Sequence, residues 1–161
     1  MYPGDGSLHL DGLGAADVDV ILGWRYRGEY SSYDLDASDR ATLVDANNDY
    51  LAVRLRTELI DFVCPGSEAR VSGMTEDPAA VDIGVGIRPD LTGRGKSRRL
   101  LPAILMALDR RLGRVTFRAL IKGWNHRAQR AAVHAGFRAG GTHENSAGGW
   151  VLLVRQPAGD V

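Results

Sequence analysis

Thr92, Gly93, Arg94, Gly95, Lys96 and Ser97 join a run of alternating apolar residues to an amphipathic one, and their types suit the binding of an anion. Gly93 and Gly95 let a ligand approach the backbone closely, while Arg94, Lys96, Arg98 and Arg99 put four cations nearby. If a helix begins here, its first N–H groups lack internal partners and its dipole adds partial positive charge. Phosphate is the natural ligand for such a place; the plainer alternative is a solvated basic helix start. Gly95, Lys96 and Ser97 also match the end of a GxxxxGK[ST] nucleotide loop, but Asp90 stands where its first glycine belongs. The nearby apolar run ending in Asp, Ile104 to Asp109, lies inside the same amphipathic stretch, so no metal-holding strand end follows and an NTPase loop is set aside.

Other residues invite chemistry less strongly. Asp82 interrupts an apolar strand, as an acid–base group would, or as a carboxylate paired with an arginine would. Trp24, Tyr26, Tyr30 and Tyr33 concentrate much of a small aromatic supply in WRYRGEYSSYDL. His134 reads as a surface or packing histidine, with proton donation as the alternative. Cys64 ends an apolar run and reads as a small buried hydrophobe. His143 and Glu144 have no companions at metal-ligand spacing, so no metal site is expected.

The elements that must hold these residues are legible from periodicity. Val81, Ile83, Val85 and Ile87 alternate with Asp82, Gly84, Gly86 and Arg88, giving a strand with one packing face and one bare enough for a ligand. Pro89 ends it. Leu100, Leu101, Ile104, Leu105, Leu108 and Leu112 then form one helical stripe, with Pro102 expected to remove a hydrogen bond and kink the helix. Val115 to Lys122 is the next strand, parallel to the first as a strand–helix–strand crossover requires. Asn125 caps a short helix that Gly136 closes. Upstream, Leu8 to Leu10 is a short strand, Asp17 to Trp24 a helix and Asp39 to Asp45 another. Tyr50 to Arg56 and Leu59 to Cys64 are strands joined tightly at Thr57, with a brief strand at Ala69 to Val71 inside the following loop. Phe137 to Gly141 and Trp150 to Gln156 make a last hairpin across THENSAGG, and Pro157 to Val161 is a frayed tail.

The chain has 161 residues, 44% hydrophobic and 25% charged, which suits one globular domain over 1–161 with its own core. Twenty basic and twenty acidic residues balance, which argues against nucleic acid or membrane as a partner. One cysteine excludes an internal disulfide framework, MYPGDGSLHL does not read as a signal peptide, and no apolar run can span a bilayer. A soluble cytoplasmic protein is the expectation.

Two of these motifs resemble those of the GNAT N-acetyltransferase superfamily. Thr92 to Ser97 looks like its [RQ]xxGx[GA] loop, with Gly95 matching, Thr92 in place of Arg or Gln, and Ser97 in place of Gly or Ala. NHRAQRAAVHAGF resembles NxxAxxxYxxxGF, with Asn125, Ala128, Gly136 and Phe137 in register and Ala132 where the tyrosine belongs. WRYRGEY is similar to a WRYxxPY element of a bacterial subgroup. The resemblance implies a single-domain α/β fold: a mixed, mostly antiparallel sheet of six to seven strands, a parallel central pair and flanking helices. It implies acetyl-CoA as cosubstrate, with pyrophosphate on Thr92, Gly93, Arg94, Gly95, Lys96 and Ser97, and the pantetheine arm on the backbone at Val85 and Ile87 and on Asn125. Trp24, Tyr26, Tyr30 and Tyr33 would wall a site for a small-molecule or peptide amine. Asp82 would be the base, and the proton donor to the leaving thiolate would be missing at Ala132. Departures at Thr92, Ser97 and Ala132 keep open a non-catalytic acyl-CoA-binding or regulatory protein, or a remodelled pocket without CoA. Dimerisation is common in the superfamily; no sequence signal specifies an interface.

Overall fold

A computed structural model describes residues 8–93 and 95–157, with the backbone but not the side chain of Ser97. Arg94 therefore lies outside the described residues, as does the tail beyond Pro157.

The chain runs β1 (Leu8–Gly12), α1 (Ala15–Leu22), a stretch of short 3-10 turns, α2 (Arg40–Val44), β2 (Leu51–Leu55), β3 (Glu58–Pro65), β4 (Ala80–Ile87), α3 (Lys96–Leu112), β5 (Thr116–Lys122), α4 (His126–His134), β6 (Arg138–Asn145) and β7 (Gly148–Arg155). Seven strands form a sheet in the order β1-β2-β3-β4-β5-β7-β6. The pairings are antiparallel except β4 with β5, which is parallel. This is the mixed sheet with a parallel central pair that the sequence implies.

One face of the sheet packs on α3, whose Leu100, Ile104, Leu105 and Leu108 bury against Val53, Val63, Ile83 and Phe117. Helical period 3.6 meeting strand period 2 puts these residues on facing stripes. Val18 and Ile21 of α1 bury with Trp24 and Leu43 against Tyr50, Leu59 and Phe62, which are carried by β2, β3 and their approach. Two bidentate ion pairs tie helices to strands: Arg54 of β2 grips Asp17 of α1 at 2.7 and 3.0 Å, and Arg155 of β7 grips Asp109 of α3 at 2.7 and 3.0 Å. The Arg54 guanidinium holds the Asp17 carboxyl below the usual carboxylate range.

Several elements differ from expectation. The brief strand expected at Ala69 to Val71 is absent: Ser67–Ala69 is a 3-10 turn entered from Gly66 at φ 122°, and Arg70 and Val71 belong to no strand. The last hairpin is longer than expected: Thr142 to Asn145 join β6 and only Ser146 and Ala147 turn the chain. The Asn145 side chain accepts the Ala147 N–H at 2.9 Å, and Gly148 takes φ 117°. The β2–β3 turn manages without glycine by placing Arg56 at φ 58°.

Candidate active site

Strands β4 and β5 are paired only through Ala80↔Thr116, Val81↔Phe117 and Asp82↔Arg118. Beyond Asp82 each strand continues, β4 to Ile87 and β5 to Lys122, but they part. Asp82, only 3% exposed, accepts from Arg118 Nε at 2.7 Å, Arg118 Nη2 at 3.0 Å and Arg70 Nη1 at 3.2 Å. This clamp fastens the last paired position.

What β4 offers past the clamp follows from alternation. Its even-numbered residues bond to β3: Gly66 N–H donates to Asp82 C=O at 2.7 Å and Arg88 N–H to Ile60 C=O at 3.1 Å. Ile83, Val85 and Ile87 therefore aim their N–H and C=O groups the other way, into the gap left by β5. One of these groups is already engaged, since the Tyr26 hydroxyl donates to Ile87 C=O at 2.6 Å. The gap belongs to a cavity of about 380 Å³ that reaches both faces of the sheet. Leu101 of α3, Ala128, Ala131 and Ala132 of α4, and Ala119 to Ile121 of β5 line it on one side. Trp24, Tyr50, Phe62 and Cys64 line it on the other.

The segment after α1 straps the mouth. Arg25 ties it down by donating to the carbonyls of Trp24 at 2.7 Å, Leu22 at 2.9 Å and Leu35 at 3.2 Å. Asp34 accepts the Tyr26 N–H at 2.8 Å. Across the gap, Tyr30 lies against Trp124 and under the guanidinium of Arg127, 3.9 Å from its ring centre. The Tyr33 hydroxyl accepts from Asn125 Nδ2 at 3.0 Å, while Asn125 Oδ1 caps α4 by accepting the Ala128 N–H at 3.0 Å. The proton of Tyr33 is thus left to donate. Burial pushes the hydroxyls of Tyr26, Tyr33 and Tyr50 up in pKa, and the Cys64 thiol up to about 11. All four are protonated near neutrality, so none is a base or a thiolate nucleophile.

Of the residues singled out in the sequence, Trp24, Tyr26, Tyr30, Tyr33, Val85, Ile87, Thr92 and Asn125 share this one cavity. Gly93, Gly95 and Lys96 stand apart from it at the start of α3. Both glycines have positive φ, 74° and 75°, and Arg127 reaches toward Gly93 from α4. Lys96 Nζ donates to Asp90 C=O at 2.9 Å, and Thr92 Oγ1 donates to Pro89 C=O at 2.7 Å.

Two expectations change. Asp82 does not line the cavity; its buried carboxylate is held between the guanidiniums of Arg118 and Arg70 at the last paired position of the β4–β5 ladder. The bare face at Gly84 and Gly86 is largely filled by the protein: a Cβ on Gly86 would lie 2.2 Å from the Phe62 ring, and one on Gly84 3.2 Å from Cys64 Sγ. His134 is a surface histidine, as its sequence context reads: it stands exposed beside Arg98, 3.2 Å from Nη2, away from the cavity lining. Sequence reasoning missed Tyr50, Phe62 and Arg127, whose places are fixed by pairing and packing between distant segments. It missed Asp61 as well, fully buried in β3 with neither carboxylate oxygen partnered. Among the described residues no group of three or more metal-ligating side chains comes together, and no helix is long and apolar enough to cross a membrane.

No family model matches the sequence, and no curated protein matches it. Solved structures do match. The aminoglycoside acetyltransferase AAC(6')-Ib in complex with coenzyme A superposes with a TM-score of 0.73 at 18% identity, over 92% of this chain and 94% of that one. A GNAT-family acetyltransferase from Bordetella pertussis gives 0.66 at 21% identity, over 91% and 93%. The ribosomal-protein-S5-alanine acetyltransferase from Vibrio fischeri gives 0.61 at 13% identity, over 96% of both chains. At these identities the likeness is one of architecture, and it spans nearly the whole of each chain: this protein has the fold of the GNAT N-acetyltransferases.

Proposed function

We propose that the protein transfers an acetyl group from acetyl-CoA to a primary amine by direct attack in a ternary complex. The observation that carries this reading is the parting of β4 from β5 after Asp82, which leaves the outward backbone groups of Val85 and Ile87 facing a cavity of about 380 Å³. An extended chain of alternating amides fits such a half-ladder as an added strand. Acetyl-CoA, when bound, supplies an activated thioester. Gly93, Gly95, the N–H groups opening α3 and the cations Lys96 and Arg127 suit its pyrophosphate. The Val85 N–H is our candidate to donate a hydrogen bond to the negative charge that develops on the acyl oxygen. Tyr26 already donates to Ile87 C=O, so the Ile87 N–H is the group we assign to the arm. Ala132 lines the cavity but carries no hydroxyl; Tyr33, oriented by Asn125, is our candidate for protonating the departing sulfur.

The neighbours' printed ligands, CoA and acetyl-CoA, support the same reading. A non-catalytic acyl-CoA-binding protein is the second reading, favoured by the absence of any carboxylate or imidazole from the lining among the described residues. Calorimetric titration with acetyl-CoA, followed by thiol release on an amine panel, separates the two. Binding that Gly95→Asp abolishes in a folded protein supports the loop assignment; binding unchanged by that substitution refutes it.

A further inference from the structure

We infer that the acceptor is an amine uncharged at neutral pH and carried on an aromatic or other apolar body, such as an arylamine, and not a polycation. The inference rests on the acetyltransferase reading and deepens it. Its ground is the chemistry of the cavity wall. On the side away from α3 and α4 the wall is Trp24, Leu35, Tyr50, Phe62 and Cys64. Trp24 and Tyr50 both pack with tilted rings against Phe62, ring centres 6.0 and 6.2 Å apart, so an apolar body meets rings, while no carboxylate among the described residues of the lining stands ready to hold an ammonium.

Among the described residues, the titratable groups of the lining are four tyrosines, Cys64 and Arg127. At neutral pH these supply one charge, and it is positive. The acidic residues close by are spent or set outside. Asp82 is clamped by Arg118 and Arg70. Asp61 is sealed in β3 at 0% exposure. Asp34 accepts the Tyr26 N–H and lies outside the lining, although its charge is felt at Tyr26. Glu68 and Asp39 do not line the cavity, although their charges are felt at Tyr50. A cationic amine would thus enter with no anionic side chain among the described residues of the lining to meet it and no base there to take its proton. An alkylamine with a lysine-like pKa of about 10.4 is unprotonated in only about one molecule per thousand near pH 7.4. An arylamine, whose conjugate acid titrates well below neutrality, arrives ready to attack. Its nitrogen forms the C–N bond as the C–S bond breaks, and the proton that nitrogen loses ends on sulfur, giving amide and thiol with no net proton released.

The test uses the purified protein with acetyl-CoA and three acceptors: 4-methylaniline, 2-phenylethylamine and the polycation kanamycin. Acetyl-CoA binding is measured first by calorimetry, then kcat/KM by thiol release. The arylamine should be acetylated with kcat/KM flat between about pH 6.5 and 8.5. That of phenylethylamine should climb about tenfold per pH unit, following its neutral fraction, and kanamycin should not react. Kanamycin as the best acceptor, or phenylethylamine outperforming the arylamine with a flat profile, overturns the inference. Acetyl-CoA bound with none of the three acetylated also overturns it, and leaves the cofactor assignment standing. Failure to bind acetyl-CoA removes the acetyltransferase reading itself.

Discussion

Asp61 is surrounded by Val53, Val63 and Ile87 in the sheet register and has no hydrogen-bond partner for either oxygen. Burial drives its pKa well above the usual carboxylate value, with the Phe62 and Gly86 amides opposing weakly. A carboxyl whose pKa is higher in the folded chain binds its proton more tightly there. Stability should therefore fall as pH rises above the unfolded value of about 3.9, and level off only past the raised one. Asp61→Asn should remove that decline and stabilise the protein by about 1–3 kcal/mol near pH 8; denaturant midpoints measured across pH would show it. Tyr33 makes a different prediction. Tyr33→Phe should lower kcat by about a hundredfold while acetyl-CoA affinity, read by calorimetry, changes little. Neither role was legible in the sequence. Asp61 sits in a run, LIDFVC, whose periodicity gives no sign of which face it takes, because the β2–β3 register shifts at Val53/Arg54. Tyr33 was visible as one of four aromatics, but its bond to Asn125 spans 92 positions.

The central ladder was the most legible element, since Val81 to Ile87 alternates cleanly and leads through glycines into an amphipathic helix. What alternation could not supply was the partner opposite each position. Asp82 reads equally as base or as ion-pair member until Arg118 is set beside it by parallel pairing, and Gly86 reads as open until Phe62 covers it. Two substitutions probe these contacts. Arg118→Met leaves Asp82 buried with only Arg70, and should cost about 3–5 kcal/mol of stability; adding Asp82→Asn should restore part of it. Thermal or denaturant unfolding of the two variants measures this. Gly86→Ala drives a methyl into the Phe62 ring, and should cost about 1–3 kcal/mol through overpacking. Gly86→Ala with Phe62→Leu should recover stability if that contact is the cause. The final hairpin shows the opposite kind of miss: THENSAGG carries turn residues, yet Thr142 to Asn145 pair as strand because β7 offers an edge to them.

Across the whole molecule, the two hydrophobic clusters meet at the gap between β4 and β5, and the aromatic strap from Trp24 to Tyr33 closes over it. The sheet order, the clamp at Asp82 and the strap together turn a seven-stranded sheet into a binding cleft through its own middle. A ligand that binds the folded chain alone at about a hundred times its Kd adds about 2.7 kcal/mol, so saturating acetyl-CoA should raise Tm by several degrees. The most direct test is amide NMR during titration with acetyl-CoA. The amides of Val85 and Ile87, facing the gap, should shift together with those of Gly93 and Gly95, while Gly84, whose N–H is directed at β3, moves less. Shifts confined to the surface of α3, or none at Val85 and Ile87 at saturation, would contradict the assignment of the β4–β5 gap as the acyl-CoA site.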